Sequence, residues 1–127
     1  QFKNENIPVL IVEDNKINML LAKTLVKQII PNSTIFEAVN GEEAIEQFKK
    51  TNPSIVFMDI QMPVMNGYEA TKEIRKLQEK RIPIIALTAG TVLGEKEKCI
   101  EAGMDDYASK PFVKDTLEKI ISKWIEL

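Results

Sequence analysis

The sequence predicts one α/β domain in which helices cover both faces of a parallel sheet. Three observations predict it. Short apolar runs alternate with stretches of helical periodicity from Pro8 onward. Several of those runs are apolar at every position, as expected of strands buried on both faces. The chain has 127 residues, 44% hydrophobic and 28% charged, which is room for one domain with a real core and not for two domains.

Gln1 to Asn6 is polar and reads as a linker stub, leaving 7–127 as the domain. Val9-Leu10-Ile11-Val12 is the first strand, and Ile17, Leu21, Leu25 and Ile29 supply the apolar stripe of a helix over 17–30. Ser33 to Phe36 is the second strand, and Ala44, Ile45 and Phe48 mark the second helix. Pro53 precedes the third strand, Ile55-Val56-Phe57-Met58. Asn66-Gly67 is a turn and helix-start signal ahead of Ala70, Ile74 and Leu77 in the third helix. Pro83 precedes the fourth strand, Ile84-Ile85-Ala86-Leu87. Cys99 and Ile100 fit a fourth helix, which Gly103 suits as a left-handed cap. Asp106 to Ser109 is a less apolar fifth strand, and Val113, Leu117, Ile120, Ile121 and Trp124 mark the last helix. Such alternation implies right-handed βαβ crossovers.

Composition removes several function classes. Seventeen Lys and Arg against nineteen Asp and Glu give a net charge of -2, so no overall basic field exists to hold nucleic acid or an anionic membrane surface. No apolar run approaches the roughly 20 residues of a membrane span, and no signal peptide opens the chain, so a cytoplasmic location is expected. Cys99 is the single cysteine and cannot form an internal disulfide. With no histidine in the chain, serine–histidine hydrolysis, zinc–histidine sites and histidine proton shuttles are excluded together.

In open parallel sheets ligands sit beyond the carboxyl ends of the strands. The polar residues predicted there are Glu13 and Asp14 after the first strand, Asp59 after the third, Thr88 after the fourth, and Lys110 after the fifth. Two like charges about 4 Å apart repel by roughly 4 kcal/mol at an effective dielectric near 20. Either one carboxyl stays protonated or a cation neutralises the group. Ligands that are all oxygen favour a hard ion such as Mg²⁺. With the Lys110 ammonium and the Thr88 hydroxyl, that set suits a phosphoryl group attacked by a carboxylate. Taken singly each residue has a plainer role: Asp14 or Asn15 capping the first helix, Lys110 in a surface ion pair.

These residues carry a resemblance. Val-Glu-Asp-Asn at 12–15, Met-Asp-Ile-Gln-Met-Pro-Val-Met-Asn-Gly at 58–67, Ala-Leu-Thr-Ala at 86–89 and Gly-Met-Asp-Asp-Tyr-Ala-Ser-Lys-Pro-Phe at 103–112 resemble the receiver domains of two-component signalling, in order and over Pro8 to Leu127. The first two, with Asn15 and Asn18, are most similar to receivers attached to hybrid histidine kinases. The resemblance implies a flavodoxin-like (βα)5 three-layer sandwich with strand order 2-1-3-4-5. It also implies that Asp59 is a phosphoacceptor served by a histidine kinase or a histidine phosphotransfer domain. Mg²⁺ would be held by Glu13, Asp14, Asp59 and the backbone carbonyl of Gln61. The phosphoryl oxygens would meet Thr88, Lys110 and the Ala89 backbone amide, and Lys110-Pro111 would be cis.

The family also pairs Thr88 with an aromatic at position 107. The implied switch moves Thr88 toward the phosphoryl group and turns Tyr107 inward, changing the surface of the fourth helix, fifth strand and fifth helix over 92–127, with a phosphorylation-dependent homodimer as one expected outcome. A receiver assists its own phosphorylation and dephosphorylation but is not otherwise an enzyme. Gln61 and the Ala89-Gly90 pair flank the site and are placed to tune hydrolysis. The domain either stands alone or belongs to a longer kinase, itself membrane-anchored in some arrangements.

The residues speak against two other function classes. A haloacid-dehalogenase-like phosphohydrolase wants a second carboxylate two residues after its nucleophile, where this chain has Gln61. A pseudo-receiver would lack one of the acidic pair, Asp59, Thr88 or Lys110, and all are present. Met58, Met62 and Met65 read as packing residues, thioether being too soft for Mg²⁺. Lys72, Glu73, Arg75, Lys76, Glu79, Lys80 and Arg81 read as a solvated helix face and loop.

Overall fold

A computed structural model describes residues 6–89 and 94–125. Strands and helices alternate along them: β1 (Ile7–Val12), α1 (Lys16–Ile29), β2 (Ser33–Ala38), α2 (Gly41–Thr51), β3 (Ile55–Asp59), α3 (Gly67–Leu77), β4 (Ile84–Thr88), α4 (Glu95–Ala102), β5 (Asp106–Ser109) and α5 (Lys114–Trp124). The five strands form one parallel sheet in the order β2-β1-β3-β4-β5, as the resemblance implied. Of the predicted linker stub only Asn6 is among the described residues.

The unbroken apolar runs follow from the two cores. Val9 and Ile11 of β1 point into a core with Met19, Ala22, Val26 and Ile29 of α1 and Leu117, Ile120 and Ile121 of α5. Leu10 and Val12 point the other way, into a core with Ala44 and Phe48 of α2, Ala70 and Ile74 of α3, and Cys99 of α4. Successive strand residues face opposite sides, so a strand covered twice needs apolar residues at both parities. Each fully buried Ile, Leu or Phe contributes about 1.5–3 kcal/mol of burial. Asparagines start three helices: the side chains of Asn15, Asn40 and Asn66 accept from the backbone N–H groups of Asn18, Glu43 and Glu69. The left-handed residue Gly103 ends α4, as its position predicted.

Two elements differ from what the sequence predicts. The stripe of α1 holds only in part: Ile29 is buried and Leu21 and Leu25 pack against the core, but Ile17 is 78% exposed, and the fully buried face is Met19, Ala22, Val26 and Ile29. A four-residue step overshoots a 3.6-residue turn by about 40°, so Ile17 and Ile29 cannot share one face. In the same way Leu77, Ile100 and Val113 are exposed at the ends or outer sides of their helices.

Arg75 is not part of a solvated face either. Its side chain is only 12% exposed and ion-paired to Asp105 at 2.8 Å. It donates to the Gly103 carbonyl from Nε (2.9 Å) and Nη2 (2.6 Å), and to the Ile82 carbonyl from Nη1 (2.7 Å). Asp105 also accepts from the Ile84 N–H at 2.9 Å and from Arg81 at 2.7 Å. A planar fork of donors lets one buried guanidinium tie the end of α3 to the start of β4 and the α4–β5 turn.

Candidate functional site

The strand register gathers the predicted residues at one rim. Met58 pairs with Val12, Asp59 with Leu87, and Thr88 with Ser109. Glu13, Asp59, Thr88 and Lys110 therefore all lie at, or one residue beyond, the last paired position of adjacent strands. Asp59 is 4% exposed, Glu13 1% and Thr88 4%, while Asp14 is exposed. Carboxylate oxygens of Glu13, Asp14 and Asp59 lie within 4.8 Å of one another.

The Lys110 ammonium stands between the two buried acids, 3.2 Å from Asp59 Oδ2 and 3.1 Å from Glu13 Oε1. Its backbone N–H donates to the Thr88 carbonyl at 2.7 Å, and the Lys110-Pro111 peptide is cis. Asp59 Oδ1 accepts from the Gln61 N–H at 3.3 Å, and Glu13 Oε2 from the Asn15 N–H at 3.1 Å. Asn15 supplies the helix cap, so Asp14 is left at the rim. Burial, and after it the neighbouring Glu13 carboxylate, push the Asp59 carboxyl up to about 7, against the pull of Lys110. For Lys110, burial works against the charged form, but the Asp59 and Glu13 carboxylates outweigh it and its pKa is raised.

The residues present fit a hard divalent cation. Glu13 Oε1 is buried with the Lys110 ammonium 3.1 Å away as its counter-charge, and three carboxylates share that one ammonium, so the group has room for further positive charge. With oxygen as the only donor type at Glu13, Asp14 and Asp59, the set matches the preference of Mg²⁺ over softer metals.

Ala89 and Gln61 flank the pocket and are exposed. Tyr107 stands on β5 opposite Ala86 and is 42% exposed. Met58 is fully buried, and Met62 and Met65 pack against the same core. Gly90 and positions 92, 93, 126 and 127 of the expected output surface lie outside the described residues.

Sequence reasoning missed how the β3–α3 segment is shaped. The Met65 N–H donates to the Pro63 carbonyl at 2.7 Å, and Val64 between them has φ +70°. This is a γ-turn of the rare, strained hand, on a β-branched residue. Gly67 closes the segment by donating to the Ile60 carbonyl at 2.8 Å; a Cβ there would lie 2.2 Å from the Asp59 carbonyl oxygen. Also unforeseen is a scatter of exposed apolar side chains on segments that leave this rim: Ile17 and Leu20 on α1, Val64, and Val113. A period-4 reading of α1 had hidden the first of them.

Comparison with known proteins agrees with this geometry. The sequence model of the response regulator receiver domain matches residues 9–122. Hybrid signal transduction histidine kinase G of Dictyostelium discoideum is 38% identical over 122 residues, covering 94% of this chain and 4% of the kinase. The receiver domain of a Pseudomonas aeruginosa sensor histidine kinase, crystallised with a magnesium ion in its active-site cleft, superposes with a TM-score of 0.84 at 35% identity over 94% of this chain and 98% of that one. A Saccharomyces cerevisiae receiver domain, co-crystallised with a histidine phosphotransfer signalling protein, superposes equally at 0.84 with 34% identity over 94% and 88%. The chain spans only a small part of the curated relatives it matches, from 4% to 15% of their lengths. The chain belongs to the response regulator receiver family, and within it resembles the receivers of hybrid histidine kinases.

Proposed function

We propose that this domain is a phosphorylation-controlled switch in which Asp59 takes a phosphoryl group from a phosphohistidine of a histidine kinase or histidine phosphotransfer partner. The observation that carries the reading is the buried Asp59 held within reach of Glu13, Asp14 and Lys110 at the sheet's rim. Glu13, Asp14, Asp59 and the Gln61 carbonyl would hold Mg²⁺, which when bound supplies positive charge to the transferring oxygens. An Asp59 oxygen forms the new P–O bond while the partner's P–N bond breaks and the imidazole leaves. Lys110 Nζ, already beside Asp59, then meets the phosphoryl oxygens, with the Thr88 hydroxyl and the Ala89 amide completing the cradle.

The exposed Ile17, Leu20, Val64 and Val113 around the rim suit the apolar part of the donor's footprint. The yeast relative's pairing with a phosphotransfer protein supports a donor of that class. Output runs through Thr88 and Tyr107 to the surface of α4, β5 and α5; Tyr107 is exposed and would turn inward. A balance moved from 1:99 to 99:1 needs about 5.5 kcal/mol, within the range of two charge-assisted contacts plus repacking. The domain acts in the cytoplasm without touching nucleic acid or membrane itself.

The test is intact-mass spectrometry after incubation with acetyl phosphate and Mg²⁺. Wild type is expected to gain about 80 Da, one phosphoryl unit, and Asp59→Asn to gain nothing. Equal labelling of both would move the acceptor elsewhere.

A further inference from the structure

The phosphoacceptor segment is gripped from a second side, by α2. The Gly41 N–H, in the first turn of that helix, donates to the Met65 carbonyl at 3.0 Å. Gly41 is buried, and a Cβ built on it would lie 2.6 Å from that carbonyl oxygen and 2.7 Å and 2.8 Å from Met65 Cγ and Cβ. Contacts that short are not made by real side chains, so α2 reaches the loop only because position 41 has no side chain. The grip falls on the residue next to Val64, whose φ of +70° a free valine abandons. Strained backbone persists only where its surroundings over-determine it. Here the surroundings are two glycines: Gly67 at the end of the segment, against Asp59, and Gly41 at its middle, reaching across from another helix.

We propose that Gly41 is a positioning residue for phosphotransfer. Acting through Met65, it holds the Val64 turn and so fixes the segment on which Gln61 stands beside Asp59. The inference rests on the function proposed above, because Gln61 is the residue whose carbonyl that function assigns to the ion.

The experiment measures Mg²⁺ affinity by isothermal titration and amide hydrogen exchange in the Mg²⁺-free protein. Gly41→Ala is expected to weaken Mg²⁺ binding about tenfold, equivalent to about 1.4 kcal/mol, and to speed exchange at Met65 and Gly67. Asn40→Ala adds no atom near the loop but removes the side chain that accepts from Glu43 N–H at 2.9 Å, loosening the turn that carries Gly41. It is expected to unfold cooperatively and to bind Mg²⁺ about threefold more weakly, through the same lost grip. A folded Gly41→Ala protein that binds Mg²⁺ as wild type does would overturn the assignment, whatever its stability. Should that variant not fold, unchanged Mg²⁺ affinity in Asn40→Ala overturns it instead. Failure of the functional reading looks different: wild type itself would bind no Mg²⁺ or gain no phosphoryl mass.

Discussion

Replacing Asp59 by asparagine should stabilise the Mg²⁺-free protein, increasingly so as pH rises from about 4 to 7. Burial and Glu13 raise the Asp59 carboxyl from 3.8 to about 7. An acid whose folded pKa is raised contributes its stability below the unfolded value and loses it as pH climbs through the folded one. The window is therefore about pH 4 to 7, and three units at 1.36 kcal/mol each give on the order of 4 kcal/mol lost by pH 8. Asparagine keeps the shape and removes the charge, and the attraction of Lys110 is already contained in the net shift. The expected gain at pH 8 is on the order of 4 kcal/mol. At ~2.1 cal/mol/K of unfolding entropy per residue, 127 residues turn that into a rise of about 15 °C in Tm. At pH 5, where the folded carboxyl is largely protonated but the unfolded one is ionised, the gain should shrink to about 1.6 kcal/mol. Mg²⁺ at 100 times its Kd should add about 2.7 kcal/mol to wild type and much less to Asp59→Asn. Calorimetry at both pH values decides the matter. A variant no more stable than wild type at pH 8, or equally more stable at pH 5, would refute the account of strained charge at the rim.

Two other substitutions probe the charged groups. Lys110→Ala leaves Glu13 and Asp59 facing each other and should cost about 1–2 kcal/mol at pH 8 without Mg²⁺, the ammonium being partly exposed. Mg²⁺ should still bind and restore most of that loss, while phosphorylation no longer changes the Tyr107 environment in NMR spectra. Arg75→Ala leaves the buried Asp105 carboxylate with Arg81 and the Ile84 N–H but strips the Gly103 and Ile82 carbonyls of the Arg75 donors, and should lower stability by about 2 kcal/mol in urea unfolding. Arg75→Lys should recover little of it, because a single ammonium cannot serve Gly103, Ile82 and Asp105 together.

How much of this was legible in the sequence depended on whether a signal was local. The doubly covered strands announced themselves, since burial at both parities leaves no polar residue in Val9 to Val12 or Ile84 to Leu87. So did the rim acids, because a carboxylate directly after such a run stands at a strand end. The α1 face was misread because a four-residue repeat in the sequence coincides only briefly with a helix that turns every 3.6. Arg75 looked like its neighbours Lys72 and Lys76, and nothing local distinguishes it: Asp105 and Gly103, its partners, come about thirty residues later, as the spacings of 30 and 28 show. The grip of Gly41 on Met65 is likewise a contact between elements, for which an Asn-Gly pair at 40–41 is too common a signal.

The same distinction shows why the site is no more fragile than the sheet. Every rim residue is fixed by register: Glu13 follows Val12, which pairs with Met58; Asp59 pairs with Leu87; Thr88 pairs with Ser109, which Lys110 follows. A slip of one residue in any strand would turn its apolar side chains from one core to the other and would also carry its rim residue about 3.3 Å along the strand. In most sheets such a slip is resisted because one face becomes polar. In β1, β3 and β4 both faces are apolar, so polarity alone does not forbid it there. What does is the mismatch in shape between the two cores, one holding Phe57 and the other Met58 at neighbouring positions of β3. The placement of Asp59 is thus set by side chains packed on the strand that carries it, not by the charged residues around it. Volume changes at Phe57 or Met58 should therefore disturb the site before any change to its net charge does.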